Sequence, residues 1–284
     1  MSDYQGYNRI HLTRQGKVLT GVLDNPPINL ITLELYGELS RLSSQLMDDD
    51  QTQVFVLKSA NPDFFLAHFD VAAILRGPID NPPERQPASA NAYHAMCERF
   101  ATMDKVTIAQ IEGRVGGGGS EIAMSFDMRF GVRGKTIVNQ MEVPLGILPG
   151  GTGTQRMPRL IGRGRAMEMI LGGIDLDAET AERWGYLNRT LPADDIEGFV
   201  SGLAGRIAGF PREAVALAKA SVNASALPLA EGLVEESFLF QTLTRTASGR
   251  RSMAKFLEIG GQTREGELQM EALSAQLGDG EEHS

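Results

Sequence analysis

The chain has 284 residues, 42% of them hydrophobic, which is enough to bury a substantial core in one large domain or in one domain with an appendage. A formal net charge of −9 and a pI near 5.1 argue against a general nucleic-acid binder, which needs a basic surface to displace counterions. A single cysteine cannot form an intramolecular disulfide, and no apolar stretch is long enough to cross a bilayer. The polar residues 1–5 lack the apolar centre of a secretory signal. We therefore expect a cytoplasmic location without membrane partners.

The first elements of the chain are predicted to be a hairpin, a helix and a strand. Alternating apolar residues around Ile10 and in 18–23 flank Gln15-Gly16 and indicate a β-hairpin. Within 30–47, leucines recur at helical spacing and predict a helix; they are Leu35, Leu39, Leu42 and Leu46. The β-like run 54–57 follows, which completes one strand-helix-strand unit.

Strand and helix signals continue to alternate in the middle of the chain. Residues 106–111 and 128–132 are predicted strands, and the segment after Gly119 is a predicted helix. This alternation is typical of stacked β and α layers. Between them, the proline-rich segment 77–87 is expected to form an exposed loop that borders a ligand entrance.

Strand signals fade after about Pro211, where 214–223 and 229–243 have the pattern of amphipathic helices. We therefore divide the chain into an α/β core over 1–205 and a helical region over 206–284. The last residues, 278–284, are acidic and are expected to fray.

The segment 113–124 (GRVGGGGSEIAM) is the most informative part of the sequence. Glycine lets a backbone approach a ligand closely, and amides at the start of a helix are unpaired donors. Such a place stabilises developing negative charge. Glu121 follows directly, so an anion-binding backbone and a proton carrier are predicted to lie within one helical turn.

Four other segments accompany this glycine run in a fixed order. They are 25–29 (NPPIN), 64–70 (FFLAHFD), 140–146 (QMEVPLG) and 149–160 (PGGTGTQRMPRL). In this order and spacing, over roughly residues 7–260, the chain resembles the crotonase, or enoyl-CoA hydratase/isomerase, superfamily. The resemblance implies an α/β fold built as a right-handed spiral of repeated ββα units, with a C-terminal helical appendage that packs between subunits. It also implies an acyl-CoA substrate and a homotrimer or a dimer of trimers.

The resemblance implies a specific catalytic site. The backbone N–H groups of Ala67 and Gly118 would form an oxyanion hole for the thioester oxygen. Glu121 and Glu142 match the family's two glutamates, which hold a water molecule between them. The further substrate-binding candidates in these motifs are Phe65, Leu66, His68, Asp70 and Gly117.

Three of these motif positions need comment. His68 stands where the family usually has glycine, so it either narrows and polarises the pocket or packs beside the loop. Asp70 is expected to cap the next helix. Ser120 replaces a common cysteine or small residue, and we expect it to cap or pack the helix.

Basic residues offer two alternative sites for the CoA phosphates. One is a strip near a predicted helix start that contains Arg156, Arg159 and Arg163. The other lies on a late helix, directed toward a neighbouring subunit, and contains Arg251 and Lys255. Phe256 is a candidate lining residue of the acyl or CoA channel.

The activity that this set of residues favours is the reversible hydration of a 2-enoyl-CoA. Double-bond isomerisation is the main alternative, followed by another crotonase-family hydrolase or lyase reaction. A non-enzymatic CoA- or RNA-binding scaffold is disfavoured because both glutamates are present. The four histidines and one cysteine show no metal-ligand spacing, so we expect no metal and no cofactor beyond the coenzyme A of the substrate.

Overall fold

The computed structural model describes residues 4–77, 85, 87 and 91–277. The strands are β1 (Ile10–Gln15), β2 (Val18–Leu23), β3 (Val54–Ser59), β4 (Phe64–Leu66), β5 (Val106–Ile111), β6 (Arg114–Gly116), β7 (Met128–Val132), β8 (Ile137–Asn139), β9 (Leu176–Asp177) and β10 (Arg189–Leu191). The helices are α1 (Leu33–Met47), α2 (Val71–Leu75), α3 (Ala92–Thr102), α4 (Gly117–Ala123), α5 (Gly153–Ile161), α6 (Arg163–Gly172), α7 (Ala178–Trp184), α8 (Ile196–Ala208), α9 (Arg212–Asn223), α10 (Leu229–Leu243), α11 (Ala247–Glu258), α12 (Arg264–Glu267) and α13 (Met270–Ala275). Short 3₁₀ helices lie at Val143–Leu145 and Ala224–Ala226.

Two sheets are built in alternation along the chain. The larger has the order β1-β2-β3-β5-β7-β10, and the smaller has the order β4-β6-β8-β9. Each of three successive units gives one strand to the larger sheet, the next to the smaller sheet, and then a helix: β3-β4-α2, β5-β6-α4 and β7-β8-α5. The structure therefore confirms the expected α/β fold of repeated ββα units.

The predicted hairpin and first helix form as expected. β1 and β2 pair antiparallel across the turn at Gly16, whose φ of +55° suits glycine. Helix α1 begins at Leu33, after Thr32, whose hydroxyl accepts a hydrogen bond from the Leu35 amide at 3.2 Å. The four leucines that predicted the helix are completely buried, which places their side of α1 in the main core.

The central strands of the larger sheet are buried on both faces. One face belongs to the main core with α1 and α3, while the other packs against α8. Val56, Ile108 and Phe130 contribute to this second cluster, together with Val200 and other residues of α8. Near-continuous apolar strands are typical of parallel sheets covered on both sides.

The C-terminal region is helical, as predicted, from Arg212 to Ala275 with short connections between the helices. The predicted boundary at residue 205 falls inside α8, whose apolar side covers the larger sheet. Helix α9 is fixed to the α/β body by a partly buried ion pair, in which the Lys219 ammonium lies 2.9 Å from the Asp127 carboxylate. Helix α10 agrees with the predicted range 229–243, and it carries several exposed large apolar side chains: Leu229, Leu233, Val234, Phe238 and Phe240.

Two expectations fall partly or wholly outside the described residues: the proline-rich entrance loop, of which 78–84 and 86 are not described, and the acidic tail 278–284. Within the part of the chain that the structure describes, no helix is long and apolar enough to span a membrane.

Candidate active site

A pocket of about 370 Å³ lies at one edge of the smaller sheet. Its walls come from four segments: the residues after β4, the start of α3, the start of α4, and the residues after β8. The lining residues are His68, Phe69, Val71, Ile74, Asn91, Tyr93, Gly118, Glu121, Met141, Glu142, Leu145, Ile147, Leu148, Gly150 and Gly151.

The sheet topology explains why distant motifs meet here. Strands β4, β6 and β8 are adjacent and parallel, so their carboxyl ends lie along the same edge. The chain that leaves β4 carries His68, the chain that leaves β6 enters α4, and the chain that leaves β8 carries Glu142. Ligand sites commonly form outside the carboxyl ends of parallel strands.

The glycine run is itself the first turn of α4, which begins at Gly117 and not after Gly119 as predicted. Gly117 has a φ of +47°, and a Cβ at Gly119 would stand 2.6 Å from Leu66 atoms, so neither position accepts a larger residue without strain. The amide of Gly118 lies in this first turn, where helix N–H groups lack intrahelical partners. It is therefore available to a ligand in the pocket.

The other predicted oxyanion donor, Ala67, is engaged elsewhere. Its N–H donates to the carbonyl oxygen of Asn29 at 3.3 Å, and Ala67 does not line the pocket. The structure gives this amide a role in holding the β4 loop to the chain at Asn29, which corrects the expectation.

The amide on this loop that lacks a partner among the described residues is instead that of Phe69. The His68 carbonyl accepts from the Ile31 amide at 2.9 Å, and the Asp70 amide donates to the Ile31 carbonyl at 3.0 Å. Because successive peptide groups of an extended chain face opposite sides, the intervening Phe69 N–H faces away from Ile31. It has no hydrogen-bond partner among the described residues, and Phe69 Cβ lies 3.5 Å from where a Cβ of Gly118 would stand.

Glu121 is a buried carboxyl group held by a glycine loop. Its side chain is almost inaccessible, and Oε1 accepts hydrogen bonds from the amides of Gly151 at 2.8 Å and Gly153 at 2.7 Å. Burial raises the pKa of Glu121 to about 7, and the charge of Glu142 adds to this, while the two amides oppose it. A carboxyl group that titrates near neutrality suits proton transfer.

Helix α3 supports the loop that holds Glu121. The His94 Nε2–H donates to the carbonyl of Gly150 at 2.7 Å, and the Cys97 thiol approaches the carbonyl of Gly151 at 3.7 Å. Thr152, between the two donor amides, has a φ of +116°, which is strained for a β-branched residue. Its hydroxyl is buried and has no partner among the described residues. Such strain persists only where the surroundings fix the backbone.

Glu142 faces the same pocket from a different environment. It precedes the 3₁₀ helix Val143–Leu145, and its Oε2 is buried without a hydrogen-bond partner among the described residues. Burial raises the pKa of Glu142, while its own amide, the charge of His68 and the Met141 amide lower it.

His68 lines the pocket and also packs against the start of α4. Its Cβ would be only 2.9 Å from a Cβ at Gly117, and its Nδ1–H donates to the Phe69 carbonyl at 2.9 Å. The imidazole is thereby fixed over the start of α4.

Tyr93 is a lining residue that the sequence analysis did not identify. Its hydroxyl donates to the Gly118 carbonyl at 2.8 Å, and its ring stacks on Tyr36 with a centroid distance of 5.7 Å. The edge of the Phe69 ring meets it at 6.0 Å. Burial raises the pKa of Tyr93 well above its ordinary value, so the hydroxyl stays a donor. Tyr93 thus contacts both the glycine run and the loop after β4.

Several other predicted residues lie beside the pocket and not in its wall. Phe65 and Leu66 are completely buried in the main core, behind the glycine run. Asp70 caps α2 as predicted, since its carboxylate accepts from the Ala72 amide at 2.9 Å. Ser120 is buried in α4 and shares a hydrogen bond with the Tyr186 hydroxyl at 2.9 Å.

The basic candidates for CoA phosphates do not line this pocket. Arg156 is paired with Glu98 and borders a separate cavity of about 500 Å³ next to α9. Arg251 and Lys255 border a different pocket, on α11. Arg159 and Arg163 are likewise absent from the wall of the candidate site, as is Phe256, which packs against Gly261. Among residues 4–77 and 91–277, no group of three or more His, Cys, Asp or Glu side chains could hold a metal ion.

Comparison with known proteins identifies the family of the chain. Residues 13–265 match the family described as enoyl-CoA hydratase/isomerase. A protein of Mycobacterium tuberculosis named as a probable enoyl-CoA hydratase is 31% identical over 254 residues, covering 89% of this chain and 96% of the relative. A carnitinyl-CoA dehydratase of Proteus mirabilis is 31% identical, covering 78% of this chain and 84% of the relative.

A solved structure leads to the same family. The crystal structure of an enoyl-CoA hydratase from Bacillus anthracis superposes with a TM-score of 0.80 at 26% identity, covering 88% of this chain and 96% of the other. Together with the match over most of the chain, this shows that the protein is an enzyme of the enoyl-CoA hydratase/isomerase family, the crotonase superfamily.

Proposed function

We propose that the protein catalyses the reversible addition of water to a 2-enoyl-CoA, giving a 3-hydroxyacyl-CoA. The observation that carries this proposal is that two buried carboxyl groups, Glu121 and Glu142, line one pocket together with the free amides of Phe69 and Gly118. Hydration requires one group that takes a proton from water, one that delivers a proton to carbon, and donors for the thioester oxygen.

The two glutamates take different parts in this reaction. Glu121 orients the water and accepts its proton as the oxygen bonds to the β carbon. Glu142 delivers a proton to the α carbon. Negative charge that develops on the thioester oxygen is stabilised by the N–H groups of Phe69 and Gly118, and no net proton is gained or lost once the glutamates re-equilibrate. Because the charges of the two acids interact, they titrate as a pair.

The pocket wall supports an apolar acyl group. Beyond the acids and His68, the side chains that line it are mostly aliphatic or aromatic, including Val71, Ile74 and Leu145. The coenzyme A of the substrate is the only cofactor that this mechanism needs.

The proposal extends to assembly and location. The exposed apolar side chains of α10 favour a homotrimer or a dimer of trimers, in which they would be covered by other subunits. We place the enzyme in the cytoplasm.

The test is an assay of the purified protein with straight-chain, branched and aromatic 2-enoyl-CoAs, following the loss of the conjugated absorbance. Hydration of at least one substrate is expected. If none is hydrated while the double bond of a 3-enoyl-CoA shifts into conjugation, isomerisation replaces hydration as the function. Thioester cleavage or binding without turnover would point to the hydrolase or scaffold alternatives.

A further inference from the structure

Gln140 is a buried side chain next to the pocket that the proposed mechanism does not use. It follows β8 directly and is completely inaccessible. Its Nε2–H donates to the carbonyl oxygen of Gly117 at 3.2 Å, and its Oε1 is buried without a partner among the described residues. If the side-chain amide were turned the other way, Oε1 would face the Gly117 carbonyl oxygen and two acceptors would meet. The atom next to the Gly117 carbonyl is therefore the amide nitrogen, Nε2.

The Gly117 carbonyl belongs to the peptide unit that also contains the Gly118 N–H. A hydrogen bond accepted by the carbonyl of a peptide unit polarises that unit and makes its N–H a stronger donor. It also fixes the plane of the unit. Both effects matter here, because three successive glycines, Gly117 to Gly119, have the least conformationally restricted backbone of any residue type.

We propose that Gln140 is a positioning residue that orients and polarises the Gly117–Gly118 peptide unit, so that the Gly118 N–H donates a stronger hydrogen bond to the thioester oxygen of the substrate. This inference rests on the proposed function of that amide in the oxyanion hole. A buried polar atom without a partner opposes folding, so the Nε2–H bond to the Gly117 carbonyl is the one favourable contact of this amide among the described residues.

The test replaces the amide with an unbranched apolar side chain of similar length, Gln140→Met. Because the residue acts through one of two donors, kcat for hydration should fall on the order of tenfold, less than the loss of a donor itself, while KM changes less than about twofold. In parallel, infrared difference spectra are recorded for a bound saturated acyl-CoA labelled with ¹³C at the thioester carbonyl. The carbonyl stretch should move to higher wavenumber in the variant, since the bond is less polarised.

Gln53 supplies the matched control. It is also a buried glutamine whose Nε2 donates to backbone carbonyls, those of Ile207 and Phe210, and whose Oε1 is buried without a partner among the described residues. It lies outside the pocket wall. Gln53→Met makes the same chemical change and should leave both kcat and the carbonyl stretch unchanged at a temperature where the protein is folded.

Unchanged carbonyl frequency in Gln140→Met, or an equal loss of kcat in Gln53→Met, would overturn the proposal. Gln140→Leu is the second variant, and loss of folding in both Gln140 variants would assign the residue to stability alone and also overturn it. If the wild-type protein binds the acyl-CoA but hydrates nothing, the proposed function fails, yet the infrared comparison still decides whether Gln140 polarises the oxyanion site.

Discussion

The two sides of the pocket hold their glutamates in opposite ways. On one side, Glu121 lies within a regular helix, and two amides of the loop 150–153 bind one of its oxygens. On the other side, Glu142 lies at an irregular turn, and one of its oxygens is buried with no partner among the described residues. One oxygen of the first carboxyl group is therefore held by the backbone, while the second carboxyl group has a buried oxygen that no described residue binds.

The largest expected effect comes from removing either carboxyl group. Glu121→Gln and Glu142→Gln preserve shape but not proton transfer, so each should lower kcat for hydration on the order of 10²–10⁴-fold. The affinity for a saturated acyl-CoA, measured by calorimetry, should stay within about threefold. Turnover equal to wild type in either variant would remove that residue from the mechanism and end the comparison between the two sides.

A second prediction changes only the loop that binds Glu121. A Cβ at Gly151 would stand 2.5 Å from Glu121 Oε2 and 2.5 Å from the Tyr93 ring, so Gly151→Ala must displace both groups or shift the loop itself. We expect kcat to fall by roughly 10²-fold and the free energy of unfolding to fall by about 1–3 kcal/mol, measured by urea denaturation.

Gly164→Ala is the matched control, because a Cβ at that helical position meets nothing within 4 Å. It should leave kcat unchanged and stabilise the protein slightly. Wild-type kcat in Gly151→Ala would show that the loop does not need to hold Glu121.

The third prediction concerns pH. The pKa of Glu121 is raised from 4.5 to about 7, so the folded state binds this proton more tightly than the unfolded state does. The stability that protonated Glu121 contributes is therefore present at low pH and is lost as the pH rises from 4.5 through about 7. Relative to wild type, the free energy of unfolding of Glu121→Gln should increase by roughly 2–3 kcal/mol between pH 5 and pH 8. A constant difference across this range would contradict the raised pKa.

The smallest expected effect concerns Glu142, on the other side of the pocket. Because the charge of His68 lowers the pKa of Glu142, His68→Ala should raise that pKa and move the alkaline limb of kcat/KM to higher pH. The control is His11→Ala, since the exposed His11 side chain pairs with Asp24 and lies outside the pocket wall. A profile that does not move would show that the imidazole only fills space.

Much of the fold was predictable from local patterns. The leucines of α1 recur at helical spacing because that side of the helix is buried. The alternation of apolar residues predicted the hairpin because β1 and β2 pair in regular register. Glu121 and Glu142 were predicted as partners from their motifs, and the adjacency of β6 and β8 brings them to one pocket.

The errors have a common physical cause. Whether the amide of Ala67 or that of Phe69 is free depends on pairing with Asn29 and Ile31, a contact between segments that one-dimensional patterns do not specify. Phe65 and Leu66 belong to the same motif, but they lie in the core behind the glycine run. Tyr93 was missed because its contact with Gly118 exists only once α3 packs against the site.

The buried thiol of Cys97 has a practical consequence. It is the single cysteine of the chain, and burial raises its pKa to about 12, so it remains a protonated thiol at neutral pH. Maleimide reagents attack thiolates that they can reach. A cysteine introduced at an exposed position outside α10 therefore accepts a fluorophore selectively in the otherwise native sequence, so energy transfer can test whether copies of the chain associate.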